Sequence, residues 1–224
     1  MNKILDFLIN LIKWPIAVAV LVALPGLIES YERFNFLTIR FYCVGVGILF
    51  YFITALTAGS EIRSQIQIIA HELTHTLFAY LTLHFVRCIR LNPDGTGGSM
   101  VLHGRGNWLI TLAPYFFPLF AFFYMLLLPW LSKIINQQWI LFCIYGYFIA
   151  YYWATVLSQV HPKQTDIIRE GYIFSIIIII GFNLYTTGCL FAFTNHFWKG
   201  VILYSKLVYK FNLHTWHGWL SLIL

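Results

Sequence analysis

Charge is what this sequence has least of. Only 10% of its 224 residues are Asp, Glu, Lys or Arg, while 60% are hydrophobic and 19% aromatic. A soluble globular domain carries about 25% charged residues, so this chain cannot cover the surface of an ordinary water-soluble fold. The aromatic content excludes a disordered chain for the opposite reason. No dense run of Lys or Arg occurs, which argues against a nucleic-acid partner. The net charge of +6, from 14 Lys/Arg and 8 Asp/Glu, suits the anionic headgroups of a lipid bilayer instead. The four cysteines form no C-x-x-C pair; Cys43, Cys143 and Cys189 lie in apolar runs and Cys88 just beyond one. They read as small apolar packing residues rather than as a disulfide or metal set. A completed secretory signal is missing too: Ala17-Val18-Ala19 resembles a cleavage site, but the apolar run continues through Ile28. Internal repeats and low-complexity linkers are also lacking, so residues 1–224 read as a single membrane domain.

What is present is a series of long uncharged stretches. A spanning helix needs about 20 mostly apolar residues. Stretches free of Asp, Glu, Lys and Arg are Trp14–Ile28, Phe41–Ser60, Gly106–Ser132, Ile134–Pro162 and Gly171–Trp198; Ser64–Val86 joins them with Glu72 as its single charge. The expected fold is therefore an all-α polytopic membrane protein with about six transmembrane helices. Lys13 is expected to snorkel from the short first span, and Met1–Leu11 to form an amphipathic lead-in. Phe211–Leu224 is too short to cross and reads as interfacial, with Trp216 and Trp219 as anchors. Alternation of six spans puts seven Lys/Arg on each side, so the positive-inside rule favours neither orientation. The expected location is the bacterial cell inner membrane, as a multi-pass integral protein.

Between the third and fourth spans, Val86–His103 reads VRCIRLNPDGTGGSMVLH. Two short apolar-alternating arms flank Asn92-Pro93-Asp94-Gly95, which predicts a small β-hairpin. Pro114 and Pro118, four apart in one span, predict a bend there. His84 and His103 are expected at the membrane edge as headgroup or loop contacts, and His196, His214 and His217 at the interface.

The third span contains IIAHELTHTLFAY. In a helix His71 and His75 share one face, so both imidazoles can reach one ion. Glu72 can contact a metal-bound water as general base. With 8 His in the chain, composition alone yields this pattern with a chance of roughly 0.006. An acid at the centre of a span costs about 2.5–3.5 kcal/mol, so an intramembrane Glu points to function. Two His leave a tetrahedral catalytic zinc one protein ligand short, and Phe78 and Leu81 exclude the H-x-x-G-x-x-H continuation. Asp166 stands out as the third ligand, because it follows a Pro break in LSQVHPKQTDIIREGYIF, and broken helices at membrane depth line polar cavities. His161, Glu170 and Asp94 are its rivals. An ion pair of Asp166 with Lys163 or Arg169 is the structural alternative.

A His-Glu-x-x-His helix in the membrane, a connecting span and an Asp after a Pro break resemble the site-2 protease group of intramembrane zinc metallopeptidases. That group's second motif reads N-x-x-P-x-x-x-x-D-G. Ser158 falls at its Asn, His161 at its Pro with Pro162 beside it, Asp166 at its Asp and Ile167 at its Gly. LAPYFFPLF (Leu112–Phe120) loosely resembles its Gly-Pro-x-x-Asn segment. The resemblance covers residues 64–171 as a metallopeptidase core. It implies Zn²⁺ held by His71, His75 and Asp166, Glu72 as the catalytic base, and hydrolysis of a membrane protein or peptide in or near the bilayer. It also implies that the hairpin offers a strand on which an extended substrate pairs. Two other functions stay in view: a non-catalytic zinc-binding membrane scaffold or chaperone, and a small proton- or metal-coupled transporter. Against the latter stands the missing internal repeat.

Overall fold

The computed structural model describes residues 2–34, 36–57, 59–92 and 97–223. Nine helices and one hairpin follow in order among the described residues: α1 (Asn2–Leu11), α2 (Lys13–Ser30), α3 (Ile39–Thr57), α4 (Ser60–Leu81), β1 (Val86–Leu91), β2 (Gly98–Leu102), α5 (Trp108–Leu112), α6 (Leu119–Ile134), α7 (Gln138–Gln159), α8 (Thr165–Glu170) and α9 (Tyr172–Ile223). The fold is thus mostly helical with the hairpin where the alternating arms place it. Asp94 and the turn residues 93–96 lie outside the described residues.

The count of six spans is not reached. Among the described residues, four helices are long and apolar enough to cross a membrane: Lys13–Arg33, Ile39–Thr57, Gln138–Gln159 and Tyr172–Thr215. Trp108–Tyr115 and Leu119–Ile134 form a pair bent by 77°, a fifth if counted as one span. The shortfall comes from α4. Its 22 residues span about 33 Å, but even beyond Arg63 the face carrying Gln67, His71, Glu72 and His75 keeps its hydropathy too low for a span.

The scaffold rests on close helix pairs. A Cβ at Gly47 of α3 would lie 1.9 Å from the Cys143 carbonyl of α7, and one at Gly146 would lie 2.1 Å from the Val44 carbonyl. These reciprocal glycines let two backbones touch, as small residues do where lipid removes the hydrophobic drive between helices. On the other side, α2 packs along α9 with Val20 against Gly181 and the Asn212 side chain accepting from Gly26 N at 3.1 Å. Helix α9 is itself two arms. His196 and Phe197 leave helical geometry, with φ of +50° at Phe197. Beyond them Tyr204 lies against Gly188, and the Tyr185 and Ser205 hydroxyls share a 2.7 Å hydrogen bond. Residues 16 apart in a straight helix would be about 24 Å apart, so the chain reverses at this point. Phe211–Ile223, expected as a separate interfacial run, is the end of the returning arm; the Trp216, His217 and Trp219 side chains lie outside the described residues.

The bend between α5 and α6 has its cause in Pro114 and Pro118. Proline removes a helical donor, here the one for the Ile110 carbonyl, and clashes with the preceding turn; the carbonyls left bare where the helix breaks need partners as well. Asn183 Nδ2 donates to Tyr115 O at 2.7 Å, Tyr152 OH to Phe116 O at 3.0 Å, and Thr186 Oγ1 to Phe116 O at 3.2 Å. Helices α7 and α9 therefore fix the break.

Two expectations about charged and polar residues need correction. Lys13 does not snorkel outward: its ammonium donates to the Glu170 carboxylate and carbonyl, both at 2.8 Å. His84 is only 2% exposed and is no headgroup contact. Its Nε2 lies 3.0 Å from Asp6 Oδ2, and Asn107 Nδ2 donates to Asp6 Oδ1 at 2.8 Å. These bonds pin α1 to the start of α5, while Ile4, Phe7, Leu8 and Leu11 form an exposed apolar stripe, the amphipathic pattern expected of a lead-in.

Candidate metal centre

Helix α4 carries His71 and His75 one turn apart on the face turned toward α5 and α8. Their Nε2 atoms lie 3.1 Å apart, and Asp166 Oδ2 of α8 lies 3.4 Å from each. The outer ring nitrogens are engaged elsewhere. His71 Nδ1 is 2.8 Å from Gln159 Oε1, and His75 Nδ1 is 2.7 Å from the Ile110 carbonyl. Because a carbonyl oxygen only accepts, each Nδ1 must carry the proton. A neutral ring protonated there presents a bare lone pair at Nε2. Two lone pairs and a carboxylate oxygen therefore converge with no donor among them. Tetrahedral zinc with bonds of about 2.0–2.1 Å separates its ligand atoms by about 3.3 Å, which is the spacing found. Among the described residues this is the group of His, Cys, Asp and Glu side chains that could hold a metal ion.

The surrounding contacts set the orientation of each ligand. Tyr115 OH donates to Asp166 Oδ2 at 3.0 Å, and its ring meets His71 edge-on with centroids 5.2 Å apart. Gln159 Nε2 donates to Gln67 O at 3.3 Å, which fixes the amide that receives His71.

Glu72 is one residue past His71 and therefore about 100° around the helix, facing the hairpin. It is buried, and its Oε2 is without a hydrogen-bond partner among the described residues. A buried carboxylate oxygen left unpaired is costly. It opens onto a cavity of about 580 Å³ lined also by His71, His75, Asp166, Ser99 and Gln164. The donor set and this orphaned oxygen fit a metal ion with a bound water.

Strand β2 forms one wall. Asn92 N donates to Gly97 O at 2.9 Å, and β1 pairs antiparallel with Leu91↔Gly98, Arg90↔Ser99 and Ile89↔Met100. Hydrogen-bonded and non-bonded pairs alternate in such a ladder. Gly98 and Met100 consequently turn their backbone groups away from β1, toward α4; the Met100 amide faces the Glu72 carboxylate. Gly98 permits the approach, since a Cβ there would meet Ile68 and Glu72 at 2.9 Å.

The rivals for the third ligand position are placed elsewhere. His161 is an exposed residue of the cavity wall outside the ligand group. Glu170 is bonded to Lys13. Arg169, the alternative partner of Asp166, donates to the Arg105 carbonyl and lies 3.8 Å from Glu170. His103, His196 and His214 are exposed and outside the ligand group. Sequence reasoning missed Tyr115, Gln159 and the Ile110 carbonyl. The first two had a signal, being polar residues at the two helix breaks, and so had the third, since Pro114 four residues on leaves the Ile110 carbonyl without its helical N–H.

Fold and site together define a class: an integral membrane protein of helical fold whose His-His-Asp group could hold a metal ion. A model of the peptidase M50B-like family matches residues 42–161, more than half of the chain, and the chain belongs to that family. The match includes His71, Glu72, His75 and Gln159 and ends before Asp166. No curated protein and no solved structure gives a significant match.

Proposed function

We propose that this protein is a membrane-embedded zinc metalloendopeptidase that cleaves a membrane protein or peptide in or near the bilayer. The observation that carries the proposal is the meeting of His71 Nε2, His75 Nε2 and Asp166 Oδ2 at 3.1–3.4 Å, beside the unpaired Glu72 Oε2. Zinc, when bound there, supplies a water of lowered pKa and a Lewis acid for the scissile carbonyl. Glu72 takes the proton from the attacking water and returns it to the leaving amine. Gln159 and Ile110 hold the imidazoles in the ligating tautomer, and Tyr115 aims the Asp166 carboxylate. The Gly98 backbone, on the edge of β2 turned away from β1, pairs with the substrate as an added strand, which extends the segment and exposes its carbonyl.

In this reading α4 and the bent α5–α6 pair also lie at membrane depth, completing six membrane segments. The polar face of α4 is tolerated because it lines the cavity and not lipid. Residues 64–171 form the metallopeptidase core of a single membrane domain, placed in the bacterial inner membrane. A zinc-binding scaffold that does not cut is the second reading. It draws support from Ser158, which stands where the resembled motif has Asn and whose hydroxyl donates to Thr155 O at 2.9 Å.

Glu72→Gln separates the two. Assayed with reconstituted membrane peptides, the variant should keep its zinc and lose cleavage by about 100-fold or more. Cleavage equal to wild type would remove Glu72 from the reaction. A wild type that binds zinc and cuts nothing would favour the scaffold.

A further inference from the structure

A second cavity, also of about 580 Å³, lies far from the metal centre. It forms where three pieces of chain turn: α2 ends at Ser30, α3 begins at Ile39, and α9 reverses at His196–Phe197. The opposite end of α2 is tied to α8 through Lys13 and Glu170. The 18 residues of α2 extend about 27 Å, close to the roughly 30 Å of a bilayer's hydrocarbon. The cavity therefore opens at the headgroup layer across the membrane from α8.

Its charge has one sign. Arg33, Arg40 and His196 line it, and among the described residues no Asp or Glu does. Among the described residues neither arginine is in an ion pair. Glu29 and Glu32, the acids nearest in sequence, are exposed and outside the lining. Aromatic rings hold both guanidiniums in place: Arg40 lies 5.1 Å from the Phe142 centroid and 5.0 Å from that of Phe197, and Arg33 lies 5.7 Å from that of Phe211. Arg40 Nη1 donates to Asn195 O at 2.9 Å, one of the five donors a guanidinium carries.

Two fixed cations around one partly apolar space repel each other until an anion sits between them. A phosphate suits them best, because its oxygens match the guanidinium fork. The rest of the wall includes Ile39, Leu203 and Leu207. Ile39 and Leu203 are also 75% and 50% exposed, so an apolar track leads from the cavity onto the outer surface of α3 and the returning arm of α9. A basic pocket between helices with such an exit matches an anionic lipid, headgroup inside and chains outside. We propose that this cavity binds one anionic phospholipid, with its phosphodiester between Arg33 and Arg40 and an acyl chain along Ile39 and Leu203. The lipid fills the gap between the α2–α3 turn and the α9 reversal.

Native mass spectrometry of the full chain with equal amounts of phosphatidylglycerol and phosphatidylcholine tests this directly. Wild type should retain phosphatidylglycerol in preference by about tenfold, and Arg33→Gln with Arg40→Gln should bring the ratio near one. Arg40 also ties α9 through Asn195, so Arg33→Gln alone serves where the double variant does not fold; it should lower the preference about threefold. Millimolar inorganic phosphate should leave lipid retention unchanged. Equal retention of the two lipids by wild type, or an undiminished preference in Arg33→Gln, would overturn the proposal. Displacement by inorganic phosphate would overturn it as well, by making this a site for a free anion.

Discussion

Where α3 meets α7, backbone lies against backbone; where α4 meets its neighbours, side chains reach across to backbone carbonyls. The first contact rests on glycine on both helices, Gly47 and Gly146, with a polar link across it, Thr54 Oγ1 donating to the Tyr147 hydroxyl at 3.2 Å. The second is made of Gln159 on His71 and on Gln67 O, Tyr151 on Ile66 O, and His75 on Ile110 O. The difference shows a division of labour within one apolar chain. Its scaffold tolerates lipid all round and is specified by shape, whereas its site half carries polar groups that each require a partner. Substitutions should therefore fail in different ways in the two regions.

The largest effect is expected in the scaffold. Gly47→Leu forces a side chain into the Cys143 carbonyl and should destabilise the protein by about 3 kcal/mol, the upper end of overpacking costs. Gly45→Leu, with nothing within 4 Å of its Cβ, should stay within about 0.5 kcal/mol of wild type. Thermal unfolding in detergent measures both, and similar midpoints for the two variants would erase the shape argument.

In the site half the fold should survive while metal affinity falls. Gln159→Ala frees the His71 ring and should weaken zinc binding about 10- to 100-fold, read by competition with a chelating dye at an unfolding midpoint near that of wild type. Tyr115→Phe removes one hydrogen bond to Asp166 and should cost less, about tenfold in zinc affinity. If Tyr115→Phe instead lowered the unfolding midpoint and left zinc binding intact, the hydroxyl would belong to the scaffold.

The same division decided what could be read in advance. His71, Glu72 and His75 were legible because helical spacing alone puts them together, and Asp166 because a proline break sets an acid beside apolar runs. The hairpin followed from its turn residues, and the bend from Pro114 and Pro118. The membrane count was harder. Freedom from charge is a weaker condition than high hydropathy, and α4 fails the stronger one through residues that face its cavity. Lys13 and His84 were misplaced because their partners, Glu170 and Asp6, lie 157 and 78 residues away in sequence. The reversal of α9 at His196–Phe197 falls on neither Gly nor Pro; Gly200, whose missing Cβ leaves room for the Ala192 carbonyl, is a weak sign of it inside an apolar run. The Ile110 carbonyl shows the limit: Pro114 four residues on marks it as an acceptor without a helical N–H, but only the fold reveals that His75 uses it.

The central claim is that His71, His75 and Asp166 together hold one zinc ion. Elemental analysis of wild type beside Asp166→Ala, purified identically without chelator, addresses it most directly. About one zinc per chain in wild type and a small fraction of that in Asp166→Ala is the expected result. A metal-free wild type, or equal zinc in the two proteins, would contradict it.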